Sequence, residues 1–155
     1  MKKIIYLILI FATFSGCTKD DQNLFIDEIS GAYNISSLTI SKPDLVTDSI
    51  TLFNVGEFVF EKCKIKEKEE SQGFCPGYYV INNEPRFNFN YNMITRSNVK
   101  MLQIQSSNSP IVNDFIVFNS YTFEEKTDNR LVLKAVAAVG LQSKLYKIKI
   151  TLERK

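Results

Sequence analysis

Between Arg86 and Asn92 the chain reads Arg-Phe-Asn-Phe-Asn-Tyr-Asn, with an aromatic residue at every second position and a polar one between. Side chains alternate across a strand with period two but recur about every 3.6 residues around a helix, so this order has a single apolar face only when extended. Near the C-terminus Tyr146, Ile148, Ile150 and Leu152 alternate in the same way with Lys147, Lys149, Thr151 and Glu153. Two amphipathic strands so far apart in sequence commit the chain to a sheet with one covered face.

Further strands are expected at Tyr33 to Ile40, Ser49 to Phe53, Glu57 to Ile65, Gly77 to Asn82, Lys100 to Gln105, Phe115 to Phe123 and Leu131 to Ala137. Turn chemistry lies between several of them. Asn54-Val55-Gly56 is read as a reversal with Gly56 at positive φ, Asn82-Asn83-Glu84-Pro85 as a turn, and Thr127-Asp128-Asn129 as a break between apolar runs. Within the first strand the apolar phase slips between Ile35 and Leu38 across Ser36-Ser37, which predicts a β-bulge. Tyr78 and Tyr79 are adjacent and must face opposite ways. Many sequential antiparallel strands predict an all-β domain, either a closed up-and-down barrel or a β-sandwich. Ahead of them, Leu24 to Ile29 is expected to form one helical turn that caps a barrel end.

The first seventeen residues set an address. Lys2 and Lys3 precede an apolar run from Ile4 to Phe14, shorter than the roughly 20 residues a spanning helix needs. Ser15-Gly16-Cys17 follows, small residues and then a thiol that can carry a lipid. Phe14-Ser15-Gly16-Cys17 resembles the lipobox of bacterial lipoproteins, with Phe14 where an aliphatic residue is usual. The resemblance implies a signal peptide over residues 1–16, acylation of Cys17 and outer-membrane localisation through the lipid. Lys19-Asp20-Asp21 resembles the surface-export signal of lipoproteins from one group of Gram-negative bacteria, which implies display on the cell exterior. Residues 17–23 then serve as lipidated Cys and polar tether, and residues 24–155 as one domain. The runs Lys66 to Gly73 and Ser106 to Pro110 are polar loops within it, too short to separate domains.

Removing residues 1–16 takes Lys2 and Lys3 from the 19 basic residues and leaves 17 against 17 acidic ones. A neutral domain has little electrostatic drive toward phosphate backbones, so no nucleic-acid partner is expected. The chain has no His, which removes Ser-His-Asp triads and Cys-His dyads. Asp114, Glu124, Glu125 and Asp128 are near enough in sequence to raise paired-carboxylate chemistry, but as strand ends and turns they are read as solvated charges. No Gly-rich phosphate loop is present. The expectation is a non-enzymatic protein without cofactor. With Cys17 lipidated, Cys63 and Cys75 are an even pair in an oxidising compartment and are expected to form a disulfide rather than a metal site.

Ile29 to Leu38, which contains Gly31-Ala32-Tyr33, resembles the entry strand of lipocalin-like domains, with Tyr33 where that family has Trp. Gly56 to Phe60, Gly77 to Ile81 and Ile148 to Arg154 also look like the small lipocalin-like lipoproteins of these bacteria. The resemblance implies an up-and-down barrel of about eight strands with a pocket at one mouth. Phe58, Phe60, Phe87, Phe89 and Tyr91 are the candidate ligand-binding residues, because aromatic walls suit a small apolar molecule or a glycan fragment, though aromatics also fill cores. The other expectation is an interaction subunit that docks onto another cell-surface protein through an exposed strand or the Lys64 to Phe74 hairpin.

Overall fold

In β4 (Phe87–Arg96) the alternation does what its spacing requires: Phe89, Tyr91 and Met93 are buried on one face, while Asn88 and Asn90 turn outward. The computed structural model describes residues 19–41, 49–65, 73–82, 84–106, 119–136, 139–141 and 144–155. The leader, Cys17, Asn83, Asp114, the strand portion expected at Phe115 to Phe118 and most of the two polar loops lie outside the described residues.

The other elements are α1 (Lys19–Ile29), β1 (Gly31–Ser41), β2 (Ser49–Phe60), β3 (Cys75–Ile81), β5 (Val99–Ser106), β6 (Asn119–Lys126), β7 (Arg130–Ala135), β8 (Val139–Leu141) and β9 (Lys144–Arg154). Strands β1 to β7 pair with their sequence neighbours, all antiparallel, and β9 then pairs with both β7 and β1. The β1–β9 register runs from Tyr33↔Arg154 to Ser41↔Lys147. That pairing closes an eight-stranded up-and-down barrel, the architecture that the lipocalin resemblance implies, and disposes of the sandwich. Short β8 pairs with the start of β9.

Two expectations are corrected. Asn54-Val55-Gly56 does not reverse the chain, because residues 49–60 form one strand. Asn54 and Gly56 do take positive φ, 51° and 155°, but they use it to bulge β2 where β1 slips between Ile35 and Ser37. Both irregularities sit opposite each other and bend the two strands together. Gly56 is required there, since a Cβ would lie 1.9 Å from the Val80 carbonyl oxygen. Residues 61–65 were also expected to extend a strand; pairing stops at Phe60, and the chain leaves the sheet toward Cys63. The bulge predicted at Ser36-Ser37 is present.

The helix is longer than one turn. It begins at Lys19 and so takes up most of the segment read as a tether. Asp20 and Asp21 occupy its first turn, where the helix dipole favours acidic residues. Phe25, Ile26 and Ile29 bury the apolar face that covers one end of the barrel. Phe25 meets Phe123 edge-on at 5.7 Å between ring centroids.

The interior is aromatic on the β2–β4 side and aliphatic on the β7–β9 side, where Leu131, Leu133, Ile148, Ile150 and Leu152 are buried. Full burial of each such side chain contributes about 2 kcal/mol. Gly77 lets the aromatic layer form: a Cβ on it would sit 2.4 Å from the Phe89 ring.

Candidate functional site

The two ends of the barrel carry different chemistry. At the end where β1 starts, α1 and Arg154 form a plug. The Arg154 guanidinium donates from Nε to the Asp128 carbonyl at 2.7 Å, from Nη1 to the Ser30 carbonyl at 2.9 Å and from Nη2 to the Glu28 carbonyl at 3.0 Å. It also donates to the Tyr33 hydroxyl at 2.7 Å and lies 4.9 Å from that ring's centroid. The Tyr33 hydroxyl in turn donates to the Ile29 carbonyl at 2.9 Å. One side chain thereby ties the helix end, the β6–β7 turn and the first strand together. Burial raises the Tyr33 pKa against the opposing pull of Arg154.

Asn23 adds a second tie: its Oδ1 accepts from the Ile65 amide at 2.8 Å and its Nδ2 donates to the Ile65 carbonyl at 3.3 Å. Ile65 belongs to the arm that Cys63 and Cys75 staple with a disulfide, their Cα atoms 5.6 Å apart. The expected pairing is present. Asn92, on the outer face of β4, is fully buried and donates to the Gly73 carbonyl at 3.4 Å, while its Oδ1 meets no donor.

Of the five candidate aromatics, four are packed against one another. Phe58 lies 5.0 Å from Phe60 and 4.9 Å from Phe89, and Phe60 lies 5.0 Å from Tyr91. All four are at most 1 % exposed. The Tyr91 hydroxyl donates to the Glu61 carbonyl at 2.8 Å. Burial, reinforced by Tyr33, Glu61 and Asp27, pushes its pKa far up, so it is a neutral core donor. Phe87 differs: it stacks on Tyr79 at 5.3 Å and remains 37 % exposed. Tyr79 is buried, and Tyr78 on the opposite face holds the Arg86 guanidinium 3.6 Å above its ring.

Among the described residues the opposite end is apolar and has no cover. Strand β3 pairs with β2 only as far as Gly56↔Ile81, so the half of β2 from Ser49 to Asn54 runs past it. There Leu52 pairs with Leu38 and Ile50 with Ile40, which puts all four on the inward face. Leu38 is buried, but Leu52 is 37 % and Ile50 65 % exposed. Ile40 and Ile81 are partly buried against the core. With Phe87 they make an apolar inner rim. On the outward face Phe53 is 71 % exposed. Sequence reading missed Ile50 and Leu52. Their alternation with Thr51 marks an apolar face, but only topology shows that no described strand covers it.

A cleft of about 480 Å³ on the outer wall behind the β2 bulge is lined by Asn34, Asn54, Glu57, Asn82 and Lys155 among others, with no aromatic side chain. Among the described residues, the candidate carboxylates Glu124, Glu125 and Asp128 do not converge into a cleft. Glu124 bridges Lys134 at 3.0 Å and Lys149 at 2.6 Å, and hydrogen bonds from Lys149 and Lys134 hold its pKa below the usual range. Glu125 pairs with Arg130 at 3.5 Å, and the carbonyl rather than the carboxylate of Asp128 meets Arg154. Lys19, Asp20 and Asp21 fall in the first turn of α1.

No protein-family model, curated protein or solved structure matches the chain.

Proposed function

We propose that the protein is a non-enzymatic binding module, anchored by an acylated Cys17 in the outer membrane of a bacterium and facing the cell exterior, that holds a small apolar molecule at the open mouth of its barrel. The observation that carries this reading is the inner rim of Ile40, Ile50, Leu52, Ile81 and Phe87, left partly exposed while the layer beneath it is filled. Apolar surface on a concave inner wall is where a ligand gains most from leaving water. The rim favours an apolar molecule over a glycan fragment, because its five named side chains are all hydrocarbon.

The chain contains no Trp, so Leu52→Trp places a single reporter in the mouth. Titration with an alkyl carboxylate or an anilinonaphthalene probe is expected to give a saturable blue shift; emission unchanged by any such probe would sink the reading. Incorporation of labelled palmitate into wild-type protein but not Cys17→Ser tests the anchor separately.

A second reading is favoured by a different observation. The edge of β2 from Ser49 to Asn54 has no described partner beyond β1, carries no charge or Pro, and exposes Phe53. Such an edge suits docking of a strand from another surface protein, with the chain as an interaction subunit. Phe53→Asp is expected to abolish that docking and leave probe binding at the inner rim intact.

A further inference from the structure

The helix start fixes how the barrel stands on its membrane. We propose that the plugged end lies against the bilayer, with the β4–β5 turn at the headgroups and the mouth directed away into the aqueous phase. This rests on anchoring through Cys17.

The first argument is reach. Only Thr18 separates Cys17 from Lys19, the first residue of α1. Two residues span at most about 7 Å, whereas a seven-residue tether would span about 24 Å. The helix is in turn fixed across the plugged end. Asn23 holds Ile65, Asp27 pairs with Lys62 at 2.8 Å, Glu28 pairs with Lys126, and Phe25 packs on Phe123. Each of those partners lies at the plugged end. An acyl chain on Cys17 therefore holds this end at the lipid surface.

The second argument is the surface found there. The strand that α1 approaches most is β4, which continues from Tyr91, opposite the start of β3, to Arg96. The turn into β5, with Ser97 and Asn98 both at positive φ, therefore projects beyond the β3 start. Val99 beside it is 49 % exposed and Leu24 on α1 is 60 % exposed. Arg96 and Lys100 flank the turn, and neither has an ion-pair partner among the described residues. Nearby Asp27, Glu28 and Glu125 are each already paired with a cation. A polar Ser97-Asn98 tip with exposed Val99 beside it, set between two cations that have no ion-pair partner among the described residues, matches an interface of anionic headgroups over acyl chains. The mouth then opens about a barrel height from the lipid, and its ligand arrives through water rather than from the bilayer.

The test uses full-length lipidated protein in phosphatidylcholine–phosphatidylglycerol vesicles that contain a headgroup nitroxide lipid. A thiol fluorophore is attached at Val99→Cys or, at the mouth turn, at Glu84→Cys. Both are expected to co-float with vesicles, with most emission lost at position 99 and none at 84. Co-flotation with equal quenching, or with quenching at 84 alone, overturns the orientation and leaves the anchor standing. Failure of wild-type protein to co-float, with Cys17→Ser behaving identically, overturns the anchor and the orientation together.

Discussion

The plugged end and the mouth of this barrel are built from the same strands and similar residues, yet among the described residues one end is tied by directed bonds and the other is left apolar and exposed. At the plug, Arg154 serves four oxygen acceptors, and Asn23 locks α1 to the disulfide-stapled arm. At the mouth, Ile50 and Leu52 continue an inward face that pairs with β1 but has no described strand on its other side. The difference lies in where the strands stop. Closure needs every strand to meet its neighbours over part of its length, and residues beyond that overlap are free to serve something other than the core.

If stability resides at the plugged side, Phe60→Ala should have the largest effect. Phe60 touches the rings of Tyr33, Phe58, Phe89 and Tyr91, and its removal leaves a cavity that four rings cannot all collapse into. The expected cost is about 4 kcal/mol, read from the urea midpoint. Arg154→Ala should follow at about 2.5 kcal/mol, since it strips several charge-assisted bonds from carbonyls at the plug. Arg154→Lys should recover only part of that, because an ammonium cannot reach so many acceptors in one plane. A cost for Arg154→Ala as small as that of an ordinary surface change would break the contrast.

How much of this contrast was legible beforehand depends on whether its cause is local. The alternation in β4 and β9, the slip at Ser36-Ser37 and the Cys63–Cys75 pair are local signals, and the structure carries each of them out. Asn54-Val55-Gly56 reads as a turn in the sequence because Asn and Gly at positive φ serve turns and bulges equally well. What decides between the two is the slip in β1 across the ladder, 18 or so residues earlier. Residues 17–23 read as a tether because they are polar, while the contact that orders Asn23 lies 42 residues away at Ile65. The aromatic candidates were found by composition, but composition does not separate Phe87, at the rim, from Phe89, two residues on and fully buried.

Tyr33 and Tyr91 sharpen the comparison through pH. Both have folded-state pKa values raised above the unfolded tyrosine value near 10 by burial. The native state therefore retains its protons where the unfolded state would lose them. The stability this provides is complete below about pH 10 and declines as pH rises beyond it. Thermal midpoints should stay flat from pH 8 and then fall above 10. Absorbance at 295 nm should show these two phenolates forming together with loss of near-ultraviolet circular dichroism. Early ionisation of Tyr33 and Tyr91 together with the other tyrosines, before any loss of folded structure, would show that the plugged end is open to water.

The smallest stability effect is expected at Leu52→Ser. Leu52 is 37 % exposed and has no described β3 partner beside it, so the change should cost only about 1 kcal/mol, the share of burial it loses. Apolar-probe binding should nevertheless weaken severalfold, because the rim loses a side chain that any ligand at the mouth would cover. The two readouts must separate for the comparison to hold. A large fall in the urea midpoint would mean that Leu52 works for the core and that the mouth is only the frayed end of one packed body. A small fall with unaltered probe binding would keep the packing contrast but move the ligand elsewhere, and the polar cleft behind the β2 bulge would be the next place to look.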